Sequence, residues 1–344
     1  TYGGRMKTDN SPINNSYSER FVNDASLYPA DVETNGTLAY LGWQSYLVNQ
    51  DSLGFYSLAS SNIGLNQLRA ATEKGGISEV VFSLGGNYQE KVMIGASLGL
   101  PSLRYTRESF FEETDAGGNN NDGFGSFRHT ESLKTTGLGV NLKLGMIYKP
   151  ADAFRFGLAI HTPTWFALSD EFDERLVTNT EGFPCTVSVR NDPRRFDYNL
   201  TTPWRGIISA TVLLGQNGFI SADYEYVGYN TIRYRFGNEY KDEQSARNTV
   251  LRNTFQAASN LRLGIEARMD NLFARGGFGY YGNPYKGNTN KMHRMDLSLG
   301  LGIRSERAFL DLGFVHSQLQ QTEVPYSIPP STMYPGGLFA PTAT

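Results

Sequence analysis

His129, Glu131 and Ser132 stand within four positions of one another. A histidine, a carboxylate and a serine are the residue types of a hydrolase that attacks through serine. Neighbourhood in sequence is not triad geometry, and no Gly-x-Ser-x-Gly elbow accompanies them, so no catalytic residue is assigned. The four histidines (His129, His161, His293, His316) have no close ligand spacing, and the single Cys185 excludes a cysteine metal cluster or an internal disulfide. Asn119-Asn120-Asn121-Asp122-Gly123 offers oxygens to a hard cation but lacks the full calcium-loop pattern. It reads as a loop tip. No metal and no cofactor are expected.

A second group carries charge on alternate positions. Arg262, Glu266 and Arg268 alternate with Leu261, Leu263, Ile265, Ala267 and Met269, while Asp223 and Glu225 follow the turn at Gly218 and Arg205 follows Thr-Thr-Pro-Trp. Period two is the signature of a strand, so these charges share one face. Two readings stay open for Arg205, Asp223, Glu225, Arg262, Glu266 and Arg268. They anchor a ligand carboxylate, with Arg262 or Arg205 as its partner, or they pair with one another and stiffen a wall. Pro101, following Gly95 and Gly99, removes a ladder bond from its strand and marks a kink or an end.

The elements that must hold these residues alternate throughout. Leu138, Val140, Leu142, Leu144, Met146 and Tyr148 are apolar, and so are Phe154, Phe156, Leu158 and Ile160, with small or polar residues between most of them. Val92–Leu100, Leu261–Met269, Met295–Ile303 and Leu310–Phe314 repeat the pattern, giving about eleven spanning strands. Short turns fall near 89–90, 149–152, 215–218, 270–273 and 305–307. Between them run long polar stretches at roughly 109–126, 169–203, 237–258 and 283–292. Earlier in the chain, Thr37–Val48 reads as a strand and the helix-forming run within 66–74 as a short helix ending at Gly75-Gly76.

Mean hydropathy is −0.40 and net charge −3, yet aromatic residues reach 13% and glycines number 37. No apolar run of 18 residues exists, which excludes a helical membrane protein but not a barrel, whose strands alternate apolar with polar. Lys and Arg are dispersed, so no nucleic-acid partner is expected. The glycine-rich face carries opposed charges that a sealed soluble core could not cheaply hold. Short turns alternating with long loops, and aromatics at strand ends (Tyr148, Phe154, Trp165, Phe166), fit an outer-membrane barrel. Phe110, Phe111, Phe124, Phe127, Phe172 and Phe183 fall in the long stretches, where they form a greasy capture groove or pack loops together.

Several phrases in order, GLGVNLKLGMIYKPADAFRFGLAIHTPTWFAL (Gly137–Leu168), TTPWR (Thr201–Arg205), SADYEYVGYNTIRY (Ser221–Tyr234), NLRLGIEARM (Asn260–Met269) and LSLGLGIRSERAFLDLGFVH (Leu297–His316), resemble the FadL/TodX family of transporters for hydrophobic compounds. The resemblance covers most of 37–316. It implies one all-β domain over 1–344, a 14-stranded antiparallel up-and-down transmembrane barrel in the bacterial outer membrane, with 1–75 irregular. It implies passive uptake of long-chain fatty acids or aromatic hydrocarbons, with lipid and lipopolysaccharide as surroundings. In the family a kinked wall strand opens sideways to release ligand, the role that Gly99 and Pro101 would have here. The family's N-terminal hatch, with its Asn-Pro-Ala element, is not visible. Some relatives serve instead as barrel scaffolds partnering a secretion or surface-attachment system.

Overall fold

A computed structural model describes residues 2–7, 16–59, 64–116, 123–181, 186–287 and 292–319, with two short strand pieces beyond. Their core is one antiparallel sheet of fifteen strand segments. The strands are β1 (Tyr2–Lys7), β4 (Leu65–Tyr88), β5 (Val92–Asp115), β6 (Ser126–Ala151), β7 (Phe154–His161), β8 (Trp165–Asn179), β9 (Thr186–Arg190), β10 (Arg194–Thr201), β11 (Arg205–Leu213), β12 (Gly218–Val227), β13 (Arg233–Arg235), β14 (Ala258–Met269), β15 (Leu272–Tyr281), β16 (Arg294–Arg304) and β17 (Phe309–Leu319). Outside the sheet lie α1 (Glu19–Leu27), α2 (Leu38–Gln44), the hairpin β2–β3 (Val48–Asp51, Gly54–Ser57) and α3 (Lys241–Thr254).

Eleven strands form the path β1-β4-β5-β6-β7-β11-β12-β14-β15-β16-β17, each antiparallel to the next. Among the described residues its ends are β1 and β17. β7 and β8 are two halves of one wall position, bent at Thr162-Pro163-Thr164, and β10 and β11 bend beside them at Thr202-Pro203-Trp204. The two bends are tied, because Thr202 N–H donates to the Thr164 carbonyl at 3.0 Å and Thr164 N–H donates to Thr202 Oγ1 at 2.8 Å. Short turns lie at one end of the wall. Gln89 (φ 52°) and Glu90 (φ 58°) both take the left-handed conformation that a tight hairpin requires.

Along most wall strands apolar residues alternate with small or polar ones, and the apolar face is left bare. Val140, Leu142, Leu263 and Leu299 are 39%, 37%, 45% and 59% exposed. The opposite face carries the charges, and along the upper parts of β5, β6 and β8 it is covered by the chain's own N-terminal segment. Tyr17, Phe21, Val22, Leu41, Leu47, Val48 and Phe55 pack with Phe111, Phe127 and Leu176 into a buried core on that side of β5, β6 and β8. The polar face is therefore the inside.

Several expectations fail, each for a tertiary reason. Thr37–Val48 is not one strand. Thr37 caps a helix by accepting the Tyr40 N–H at 3.0 Å, and α2 buries Ala39, Leu41 and Gly42 against Phe21 and Val48. Residues 66–74 are strand, not helix, because β5 supplies a full ladder partner from Thr106 to Thr114, and pairing overrides propensity. The described residues of the stretches 109–126 and 169–203 are mostly strand. β4, β5, β6 and β8 continue well past the apolar band, where their outer face turns polar and carries Arg128–Glu112, Lys134–Glu171 and Arg190–Asp173 ion pairs. Within 237–258, 241–254 is the helix α3. Residues 16–59, expected to be irregular, form a compact unit.

Candidate functional site

The charged wall residues sit as their strands dictate. β12 and β14 are in register with Asp223 opposite Arg262 and Glu225 opposite Asn260, and β11 sets Arg205 opposite Val227. Glu225, 8% exposed at its side chain, is the hub. Arg205 Nη1 lies 3.5 Å and Arg262 Nη1 3.6 Å from its carboxylate, and Asn260 Nδ2 donates at 3.1 Å. Arg262 also reaches Asp223 at 3.7 Å. Glu266 joins a second group, held by Arg275 at 2.6 Å, which also binds Asp311 at 2.7 Å. Arg268 joins neither. It donates to the Asp270 carbonyl at 3.1 Å and lies over Phe273, next to the turn. The mutual network is thus the arrangement present.

Pro101 neither ends nor breaks its strand. The β5–β6 ladder lapses at Leu100 and Pro101 and resumes in the same register, Gly99 opposite Asn141 and Ser102 opposite Leu138. Gly99 makes room for a polar cluster on the inner face. Glu79 accepts from Lys143 Nζ at 2.6 Å and from Asn141 Nδ2 at 2.8 Å, and its carboxylate occupies the space where a side chain at Gly99 would begin. Sequence reasoning missed this cluster because Glu79 and Lys143 lie 64 positions apart.

Two cavities adjoin the inner face. The first, about 580 Å³, is lined largely by apolar surface where Gly95, Gly145, Gly157 and Ala159 thin the wall between Met93, Ile147 and His161. The second, about 590 Å³, lies above it at the long-loop end. Phe196 and Tyr198 of β10 meet Tyr234, Phe236 and Tyr240, and α3 closes the pocket with Val250 and Leu251. Phe196 packs edge-on to Phe236 with centroids 5.1 Å apart and to Tyr240 at 5.3 Å. This cluster was also missed, although Phe196/Tyr198 and Tyr234/Phe236 each show strand spacing.

The expected greasy groove resolves differently. Phe111, Phe124 and Phe127 are buried in the N-terminal core, while Phe110 lies under Arg128 and Phe172 under Arg194. Phe183, Cys185 and 119–122 lie outside the described residues. The buried groups here hold the N-terminal segment. Glu113 accepts from Tyr17 N–H and Gln67 Nε2, both at 2.6 Å, and from Ser16 Oγ, and burial pushes its carboxyl up to about 7. Tyr17 stacks on Phe111 at 4.2 Å, and its hydroxyl meets His129 Nδ1 at 2.9 Å. Burial lowers the His129 imidazole to about 4. His129, Glu131 and Glu174 place one ligand atom each within 4.8 Å of the others. Arg194 donates to Glu174 at 2.8 Å, and Arg20 to the Tyr17 hydroxyl at 2.5 Å. Ser132, one step along an unbroken strand from Glu131, points to the opposite face from His129, so the three residues do not form a triad.

No protein-family model matches this chain, and neither does any curated protein. Solved structures do. A structure described as the CymD monoaromatic hydrocarbon channel is 16% identical with a TM-score of 0.46, over 75% of this chain and 74% of that one. A Pseudomonas aeruginosa FadL homologue is 13% identical with a TM-score of 0.45, over 82% and 75%. The Pseudomonas putida toluene transporter TodX is 10% identical with a TM-score of 0.35, over 73% and 82%.

Proposed function

We propose that this chain is an outer-membrane β-barrel that lets hydrophobic small molecules pass inward without an energy source. The observation that carries the reading is the reversal of faces: the chain buries its own N-terminal core on the charged side of the wall and leaves the apolar side bare. In water that bare side would be costly, since each large apolar side chain gains about 1.5–3 kcal/mol on leaving it. A bilayer removes the cost. On β6 the apolar run from Leu138 to Tyr148 covers about 33 Å of strand, which at a tilt of about 45° spans roughly 23 Å of hydrocarbon.

A molecule would enter at the aromatic pocket around Phe196, Tyr198 and Tyr234, then pass to the glycine-thinned cavity beside Gly145 and Gly157. The N-terminal segment acts as a plug on the inner face. Long-chain fatty acids and aromatic hydrocarbons both suit apolar cavities of this size. The charged wall favours the hydrocarbon, because among the described residues Arg205, Arg262 and Arg275 already hold carboxylates. The test is uptake of labelled toluene and labelled oleate by outer-membrane vesicles with and without the protein. Faster toluene entry supports the reading; equal rates for both compounds in both vesicle types defeat it.

A second reading has its own observation. The wall rises far above the apolar band as a polar sheet with β9 at its margin, a surface suited to a protein partner. A scaffold in a secretion or attachment system would copurify with that partner and show no uptake.

A further inference from the structure

On the outer surface, at the upper edge of the apolar band, three arginines face one cavity. Arg233 and Arg235 come from β13 and Arg252 from α3, and the cavity, of about 710 Å³, opens beside Trp165 and Trp204. Register fixes the level. Arg233 is opposite Thr201, and Thr201 is opposite Trp165. Alternation sends Arg233 and Arg235 to the outer face and Tyr234 to the inner one.

Among the described residues no carboxylate pairs with this charge, and none lies at ion-pair distance from Arg233 or Arg235. Arg252 donates only to Thr249 Oγ1, at 3.0 Å. Arg262 and Arg275 of the wall, by contrast, are matched with acids. Like charges gathered in a concave site repel, and they favour an anion to bridge them. The planar guanidinium fork fits phosphate oxygens two at a time.

A second cavity continues the first. It is about 510 Å³ and runs from Arg235 past Trp165 onto Leu138 and Val140, down the bare apolar face. Cationic head and greasy floor together describe an amphiphile, and a free phosphate ion would use only the first. Tryptophans exposed at 49% and 37% beside the arginines stand where indole rings settle, at the boundary of hydrocarbon and head groups. We propose that this paired pocket binds a phosphate-bearing lipid of the outer leaflet, head group on Arg233, Arg235 and Arg252, acyl chain along Trp165, Leu138 and Val140. The inference rests on the membrane placement proposed above.

Native mass spectrometry of the detergent-solubilised chain with bisphosphorylated lipid A tests it. The same lipid stripped of its phosphates serves as control. The expected result is one retained bisphosphorylated lipid per chain, and weak retention of the stripped one. The triple variant Arg233→Gln, Arg235→Gln, Arg252→Gln should bind the phosphorylated lipid at least about ten-fold more weakly, the scale of one lost charge-assisted contact. The three side chains are exposed, so the variant keeps its fold. It should reach the membrane fraction and take up toluene like the unaltered chain. Equal retention of both lipids, or undiminished binding by the triple variant, overturns the proposal. Inorganic phosphate that binds as tightly as the lipid also overturns it, showing a site for a soluble anion. A chain absent from the membrane fraction would instead defeat the membrane reading, whichever lipid it retained.

Discussion

The backbone N–H of Tyr17 donates to the Glu113 carboxylate at 2.6 Å, across 96 positions of chain. This bond ties the N-terminal segment to the wall, and its acceptor is wholly buried. Burial lifts the Glu113 carboxyl to about 7, so the folded chain keeps a proton there that an unfolded chain gives up near its ordinary 4.5. Stability from this group is present at low pH and drains away as pH rises from about 4.5 through 7. His129 acts in the opposite sense. Its imidazole, lowered to about 4, stays neutral when folded, so its contribution is present above 6.5 and is lost as pH falls through 6.5 towards 4. Between about 4.5 and 6.5 the two slopes oppose each other. Hydrogen exchange of residues 16–59 should therefore change little over that range in the unaltered chain. Glu113→Gln should uncover the His129 slope, with protection falling as pH drops. A variant whose protection still ignores pH would show that His129 does not respond to the plug.

The wall was legible in the sequence where its strands repeat the same two-residue period, as a strand with one apolar face must. Val140, Leu263 and Leu299 were read onto one face and lie there. The upper part, beyond the apolar band, was not legible. Above Leu138 the outer face of β6 exchanges Leu and Val for Thr, Lys, Ser and Arg, so the alternation that identifies a strand loses its apolar member and the segment looks like loop. Residues 66–74 mislead for a related reason: Leu68, Ala70, Ala71 and Lys74 favour helix, and only the distant β5 makes them strand. For the site, the charges were found by parity alone, but their partners were not. Glu225 meets Arg205 and Arg262 through strand register, which sequence does not print.

Replacing Arg262 tests whether the charge network is a ligand anchor or a brace. Arg262 bridges Asp223 and Glu225, and its loss leaves the buried Glu225 with Arg205 and Asn260. Arg262→Gln should lower unfolding free energy by about 1 kcal/mol, a figure held down by the partial exposure of the pair. The double variant Arg262→Gln, Glu225→Gln should recover most of it. Oleate and toluene uptake should fall by the same factor. A loss confined to oleate would make Arg262 a carboxylate anchor and return the fatty acid to first place.

Removing aromatic rings at the mouth should act on capture rather than on passage. Tyr198→Ala takes a ring that faces Phe196 and Tyr234 out of the pocket. The toluene concentration for half-maximal uptake should rise about ten-fold or more, since burying one aromatic ring is worth about 1.5–3 kcal/mol. The maximal rate should hold. A lower maximal rate with unchanged half-saturation would place the limiting step at Tyr198 and contradict a capture role.

Two glycines on the inner face separate a structural from a transport effect. At Gly99 an added Cβ would meet Glu79 and Asn141, so Gly99→Ala displaces the carboxylate that holds Lys143 and should cost about 1–3 kcal/mol of stability. At Gly145 the nearest atom to an added Cβ is the Leu158 carbonyl oxygen, 3.8 Å away, so a larger side chain fits without strain and projects into the cavity. Gly145→Val should unfold at the same temperature as the unaltered chain and pass toluene markedly more slowly. Thermal unfolding in detergent, run beside vesicle uptake, reads both effects. If Gly145→Val transports normally, the glycine-thinned cavity is not the route, and the passage must follow another part of the wall.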